Sequence, residues 1–123
     1  GAWLPPYELA RSLCLIGAAA AAVPAVETVF TNFRDVEGVA ATAATARRDG
    51  FTGMLAIHPA QVAPINHAFT PDDDEIRRAH RIVTLFEQEP AIGVAQLDGV
   101  MIDRPHYLQA RRLLDVAARA VPR

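Results

Sequence analysis

Gly50-Phe51-Thr52-Gly53-Met54-Leu55-Ala56-Ile57-His58-Pro59-Ala60-Gln61 carries a near-continuous apolar run, residues 54–57, that stops at His58-Pro59. A strand whose apolar residues do not alternate is one covered on both faces, the situation of a parallel sheet flanked by helices. Upstream, Val26-Glu27-Thr28-Val29-Phe30 is short, β-branched and bounded by Pro24 and a polar turn, so it reads as a second strand. Between the two, Asp35 is placed as an N-cap, Glu37 falls in the first turn, and Gly50 closes a helix that runs to Asp49. Strand, helix and strand make one right-handed βαβ crossover.

Working outward, Pro5 and Pro6 open a helix expected over 6–22, with Leu9, Leu13 and Ile16 at helical spacing and Pro24 ending it. Downstream, a helical stretch is expected over 61–68. Thr70-Pro71-Asp72-Asp73-Asp74-Glu75 then starts another helix, with a Thr cap, Pro at the first position and acids set against the helix dipole. Ile76, Ala79, Ile82, Val83 and Phe86 form its buried stripe; Arg77, Arg78, Arg81 and Glu87 face out. Pro90 and Gly93 mark a loop. Val94-Ala95-Gln96-Leu97 and Val100-Met101-Ile102 flank Asp98-Gly99, the signal of a type I′ hairpin, and a last helix is expected over 105–120. Two core strands cannot build a parallel sheet buried on both faces. The apolar strands therefore call for neighbours that these residues do not supply.

Composition narrows the function. With 51% hydrophobic and 21% charged residues among 123, the chain can build a core and is no disordered tail. Twelve basic against fourteen acidic residues leave a net charge of −2, without the basic excess of a nucleic-acid footprint. Every basic residue is Arg, which removes a Schiff-base lysine. Cys14 is the single cysteine, so intrachain disulfides and multi-cysteine metal sites are excluded; on its apolar helix it reads as an inert buried residue. The longest apolar stretch, 13–26, is broken by Gly17 and Pro24 and falls short of the roughly 20 residues a membrane span needs. No basic-then-apolar leader opens the chain, and the expectation is a cytoplasmic protein with no membrane partner.

Three stretches could carry chemistry. Thr31-Asn32-Phe33-Arg34-Asp35 and Ile57-His58-Pro59 each follow the carboxyl end of a strand, where parallel α/β folds bind ligands. The plainer readings are a loop in which Asp35 merely caps, and a His that is a satisfied structural group. In Leu97-Asp98-Gly99-Val100-Met101-Ile102-Asp103-Arg104-Pro105, Asp98 belongs to the turn. Asp103 is either an N-cap or a carboxylate base, its pKa raised by burial beside Met101 and Ile102. The acids at 72–75 read as a solvated helix start. A zinc site of Asp103, His106 and His58 can be drawn, but no recognised ligand spacing supports it.

Taken jointly and in order, Pro5-Pro6-Tyr7, the stretch 29–35, the stretch 50–61, Ala68-Phe69-Thr70-Pro71 and the stretch 97–105 resemble the citrate lyase β-subunit-like proteins of the HpcH/HpaI aldolase family. The resemblance implies an α/β fold: a (β/α)₈ TIM barrel of roughly 270 to 300 residues. This chain resembles its C-terminal part, with residues 1–90 holding the last two strands and their helices. Residues 91–123 resemble a C-terminal extension with a short hairpin and a helix.

It further implies a Mg²⁺-dependent carbon–carbon lyase that cleaves a β-hydroxyacyl-CoA of the citryl-, malyl- or citramalyl-CoA type to an acyl-CoA and an oxo-acid. The Glu and Asp that hold Mg²⁺ in the family come from upstream strands, so no metal ligand is assigned here and the chain alone is expected to be inactive. Asp103 matches the family aspartate that reaches into a neighbouring subunit's active site and moves a proton at the acyl-CoA carbon. Ile57 and Pro59 match the stretch lining the acyl-CoA pocket, and His58 lies between them. Asn32 departs from the Asp found in many relatives. A homo-oligomer, trimer or hexamer, is implied as partner. Two other readings stand beside this one: a non-catalytic oligomerisation module, and a barrel aldolase acting on free oxo-acids.

Overall fold

The computed structural model describes residues 4–89 and 92–119, and these form two compact units, one over 1–69 and one over 70–123. The helix after Thr70 belongs to the second unit because it buries its stripe against the elements that follow it.

The first unit opens with α1 (Pro5–Ala20), which Pro5 starts and which ends slightly earlier than expected. None of its residues is buried, and Cys14 is exposed, against the expectation of an inert buried thiol. The reason is tertiary: an apolar helix face is covered only if something packs on it. Instead, Arg11 holds α1. Its guanidinium donates to Glu27 at 2.6 Å and to Asp49 at 2.8 Å, and it sits 4.5 Å over the Phe51 ring.

The two strands follow as a parallel pair, β1 (Val26–Glu27) and β2 (Gly53–Met54), in register Val26 to Gly53 and Glu27 to Met54. Both are shorter than the runs 26–30 and 54–57 predicted. Among the described residues each has a single neighbour, so the ladder stops after two residues and Leu55 and Ile57 stay exposed. Between them, α2 (Val36–Asp49) starts as the sequence requires. Asp35 accepts from Gly38 N at 2.8 Å, and Gly50 ends the helix with φ at 115°. A 3₁₀ turn at Pro59–Gln61 leads into α3 (Val62–Phe69), in place of one continuous helix from 61. Val39 and Ala43 of α2, Met54 and Ile65 form this unit's core.

The second unit is α4 (Asp73–Gln88), β3 (Val94–Leu97), β4 (Val100–Asp103) and α5 (Arg104–Arg119). The cap of α4 is Asp72, not Thr70. Asp72 accepts from Glu75 N at 2.8 Å while the Glu75 carboxylate accepts from Asp72 N at 2.9 Å, a complete capping box. Asp98 (φ 51°) and Gly99 (φ 78°) supply the two left-handed residues that a type I′ turn needs, and β3 pairs antiparallel with β4 as predicted. Ala79, Ile82 and Phe86 pack with Leu97, Ile102 and Ala110. The loop residue Pro90 and the helix-end residue Ala120 lie outside the described residues.

Candidate functional site

The loops that leave β1 and β2 are tied together by one side chain. Gln61 is fully buried; its Nε2 donates to the Phe30 carbonyl at 2.8 Å, and its Oε1 accepts from Ile57 N at 2.9 Å. Both ends of the amide are thereby used, and a buried amide left unpaired costs about 1–3 kcal/mol. Sequence reading passed over Gln61. The one available signal was an amide side chain directly after His58-Pro59-Ala60, inside a helix start that needs no polar anchor.

This clamp presents Ile57, His58 and Pro59 together on the surface, all exposed. His58 Nδ1 accepts from Ala60 N at 3.2 Å, which assigns the ring proton to Nε2. Its ring stacks on Phe33 at 4.5 Å between centroids, and the Arg34 guanidinium lies 5.2 Å from the centre of the Phe33 ring. An apolar residue, an exposed imidazole and a cation on an aromatic face make a surface suited to a ligand with apolar and anionic parts. Asp35 is occupied as the α2 cap, as its plainer reading held.

Asp103 belongs to the second unit. It closes β4 and stands directly before α5, with its side chain half-exposed. His106 Nδ1 approaches Asp103 Oδ1 at 2.5 Å, His106 N donates weakly to the same oxygen at 3.4 Å, and Asp103 N lies 3.3 Å from Nδ1. The hydrogen bond from the His106 side chain holds the carboxyl below its ordinary value. This corrects the expectation of a pKa raised by burial: Ile102 points into the core, but Met101 and Asp103 do not. Alternation along β4 places those two on the other face from Ile102. Asp98 is taken up by Arg81, which donates to both of its oxygens at 2.7 and 2.9 Å. Of the acids at 72–75, Asp72 and Glu75 make the α4 cap and Asp74 pairs with Arg77.

Among the described residues no group of three or more His, Cys, Asp or Glu side chains comes together to hold a metal ion. The residues present therefore do not fit a Mg²⁺ site. No helix among them is long and apolar enough to cross a membrane.

No protein-family model matches the chain. It is 34% identical over 70 residues to the citrate lyase subunit beta of Leuconostoc mesenteroides subsp. cremoris, a match covering 55% of this chain and 23% of that protein. It is 36% identical over 104 residues to a (3S)-malyl-CoA thioesterase of Cereibacter sphaeroides, covering 83% of this chain and 36% of the relative. The crystal structure of CitE from Mycobacterium tuberculosis, in complex with magnesium, acetoacetate and coenzyme A, superposes with a TM-score of 0.83 at 28% identity. That superposition covers 97% of this chain and 44% of CitE. The chain thus spans well under half the length of the relatives it matches. In sequence and in fold it groups with the citrate lyase β-subunit-like proteins, matching the C-terminal portion of their TIM barrel.

Proposed function

We propose that this chain is the C-terminal part of a Mg²⁺-dependent carbon–carbon lyase that cleaves a β-hydroxyacyl-CoA to an acyl-CoA and an oxo-acid. The observation that carries the reading is the fit of nearly the whole chain onto CitE, a structure holding magnesium, acetoacetate and coenzyme A. Since the residues present do not fit the metal, its ligands are assigned to the rest of the complete protein, and the 123-residue chain alone is inactive. The protein works in the cytoplasm as a homo-oligomer, trimer or hexamer, and residues 91–123 extend to a neighbouring subunit's active site.

In this reading Ile57, His58 and Pro59 line the acyl-CoA pocket, and Asp103 moves the proton. As Cα and Cβ part, the β-hydroxyl loses its proton to solvent and becomes the oxo-acid carbonyl; the thioester enolate left behind takes a proton at carbon through Asp103, which is recharged from solvent. In the reverse direction the Asp103 carboxylate takes the α-hydrogen and the acyl-CoA becomes the enolate. A carboxyl held below its ordinary value is ionised at neutral pH, the form that accepts a proton. Asp103→Asn in the complete protein should lower turnover by about 10²- to 10⁴-fold, the usual worth of a general acid–base, with circular dichroism unchanged. Near-normal turnover would remove the assignment.

A second reading, thioester hydrolysis, draws on the relative named (3S)-malyl-CoA thioesterase. Product analysis separates the two. A lyase releases an oxo-acid and leaves the thioester intact in the acyl-CoA, whereas a thioesterase releases free coenzyme A thiol and a hydroxy acid.

A further inference from the structure

Asp103 and His106 repeat, at the start of α5, the arrangement that Asp72 and Glu75 make at the start of α4. In both, a cap aspartate accepts from the backbone amide three positions on, and that residue's side chain lies near the cap residue's own amide. The difference lies in the second residue. Glu75 can only accept from its cap amide, whereas an imidazole can also donate, and His106 Nδ1 stands 2.5 Å from Asp103 Oδ1. Nδ1 either carries a proton and donates to Oδ1 or holds a lone pair and accepts from Asp103 N, so only one of the two contacts is a hydrogen bond at a time. The 2.5 Å separation against the 3.3 Å amide contact favours the proton lying between ring and carboxylate. Capping alone would not need this pair, since the Asp72–Glu75 box in the same unit achieves it without a donor.

We propose that His106 is the positioning residue for Asp103, its Nδ1–H holding Oδ1 so that Oδ2 is the oxygen presented to the reacting carbon. This deepens the proposed function and rests on Asp103 being the proton-transfer group. Both contacts from His106 fall on Oδ1, so Oδ2 is the oxygen that His106 does not engage. A carboxylate free to rotate would offer either oxygen at varying distance; one pinned by a ring fixed on α5 offers one oxygen in one place. The lowered pKa of Asp103 agrees with a donor aimed at its ionised form. From α4, Glu75 and Arg78 line the same groove of about 220 Å³ as His106 and Gln109, so His106 faces one acid and one cation there as well as Asp103.

The test uses the complete lyase with three substitutions: Asp103→Asn, His106→Glu and His106→Gln. His106→Glu recreates the Asp72–Glu75 box, so α5 stays capped while the donor to Oδ1 is lost. Its kcat should fall by about 10- to 100-fold, the scale on which a misplaced reacting group is felt, with KM nearly unchanged. The acid limb of its pH profile should move to higher pH, because Asp103 loses the donor that favours its charged form. His106→Gln keeps an amide N–H in reach of Oδ1 and should recover most of the rate. Exchange of acetyl-CoA methyl hydrogens in deuterated water, followed by mass spectrometry, should show the same order. A folded His106→Glu protein with wild-type kcat and an unmoved acid limb, beside an inactive Asp103→Asn, would overturn the positioning role and leave the base assignment standing. An active Asp103→Asn would instead overturn the base assignment and this inference with it.

Discussion

The two compact units solve the burial problem in opposite ways. In the second, Ala79, Ile82 and Phe86 of α4 meet Leu97, Ile102 and Ala110, and both helices are capped by side chains from the chain just before them. In the first, α1 buries nothing, and Leu4, Leu9, Leu13 and Ile16 are 57–65% exposed. Val26, Leu55 and Ile57 beside the two strands are likewise more than half exposed. The difference is one of range. An amphipathic helix and a hairpin find their partners within a few dozen residues, whereas a parallel strand needs neighbours brought in by separate crossovers. One chain of even composition can therefore hold a unit that covers its own apolar faces and another that leaves them exposed.

That contrast can be broken by substitution. The largest effect is expected at Ile102, fully buried at the centre of the second unit. Ile102→Ala should cost about 2–5 kcal/mol by loss of packing and the cavity left behind. Hydrogen exchange should then quicken across α4 and α5, and an unaltered pattern there would mean the second unit has no core of its own. A smaller cost is expected at Gln61, the clamp of the open unit. Gln61→Leu leaves Ile57 N and the Phe30 carbonyl without partners, about 1–3 kcal/mol in a denaturant melt, and should loosen the His58–Phe33 stack. The smallest is at Leu13. In the 123-residue chain Leu13→Ala should stay within about 0.5 kcal/mol, because the side chain is already in water. In the complete protein the same change should approach the core scale of about 2 kcal/mol or more, if barrel neighbours cover α1. A core-sized loss in the short chain would show that α1 is covered from within.

Legibility followed the same division. Asp35 as a cap, Gly50 at a helix end, Asp98-Gly99 as a turn and the α4 stripe were all readable, because each is decided by residues within a few positions. Strand length was overestimated, since β-propensity marks where a strand can form and pairing decides how far it runs. The site was half legible. Ile57, His58 and Pro59 do stand together after β2, but Gln61, which holds them, acts through a carbonyl 31 positions away. The exposure of Cys14 and the lowered pKa of Asp103 share one reason: apolar neighbours in sequence are not apolar surroundings in space.

What the sequence determined by itself is the order of elements, their caps and turns, and the kinship carried by the motifs at 29–35, 50–61 and 97–105. Those depend on local backbone preference and residue identity. Only the tertiary structure decided which apolar faces are covered, that one buried amide joins the two strand loops, and that Asp103 stays half-exposed beside its apolar neighbours. Burial, dielectric and hydrogen-bond partners are properties of what a side chain meets across the fold, and spacing along the chain does not contain them.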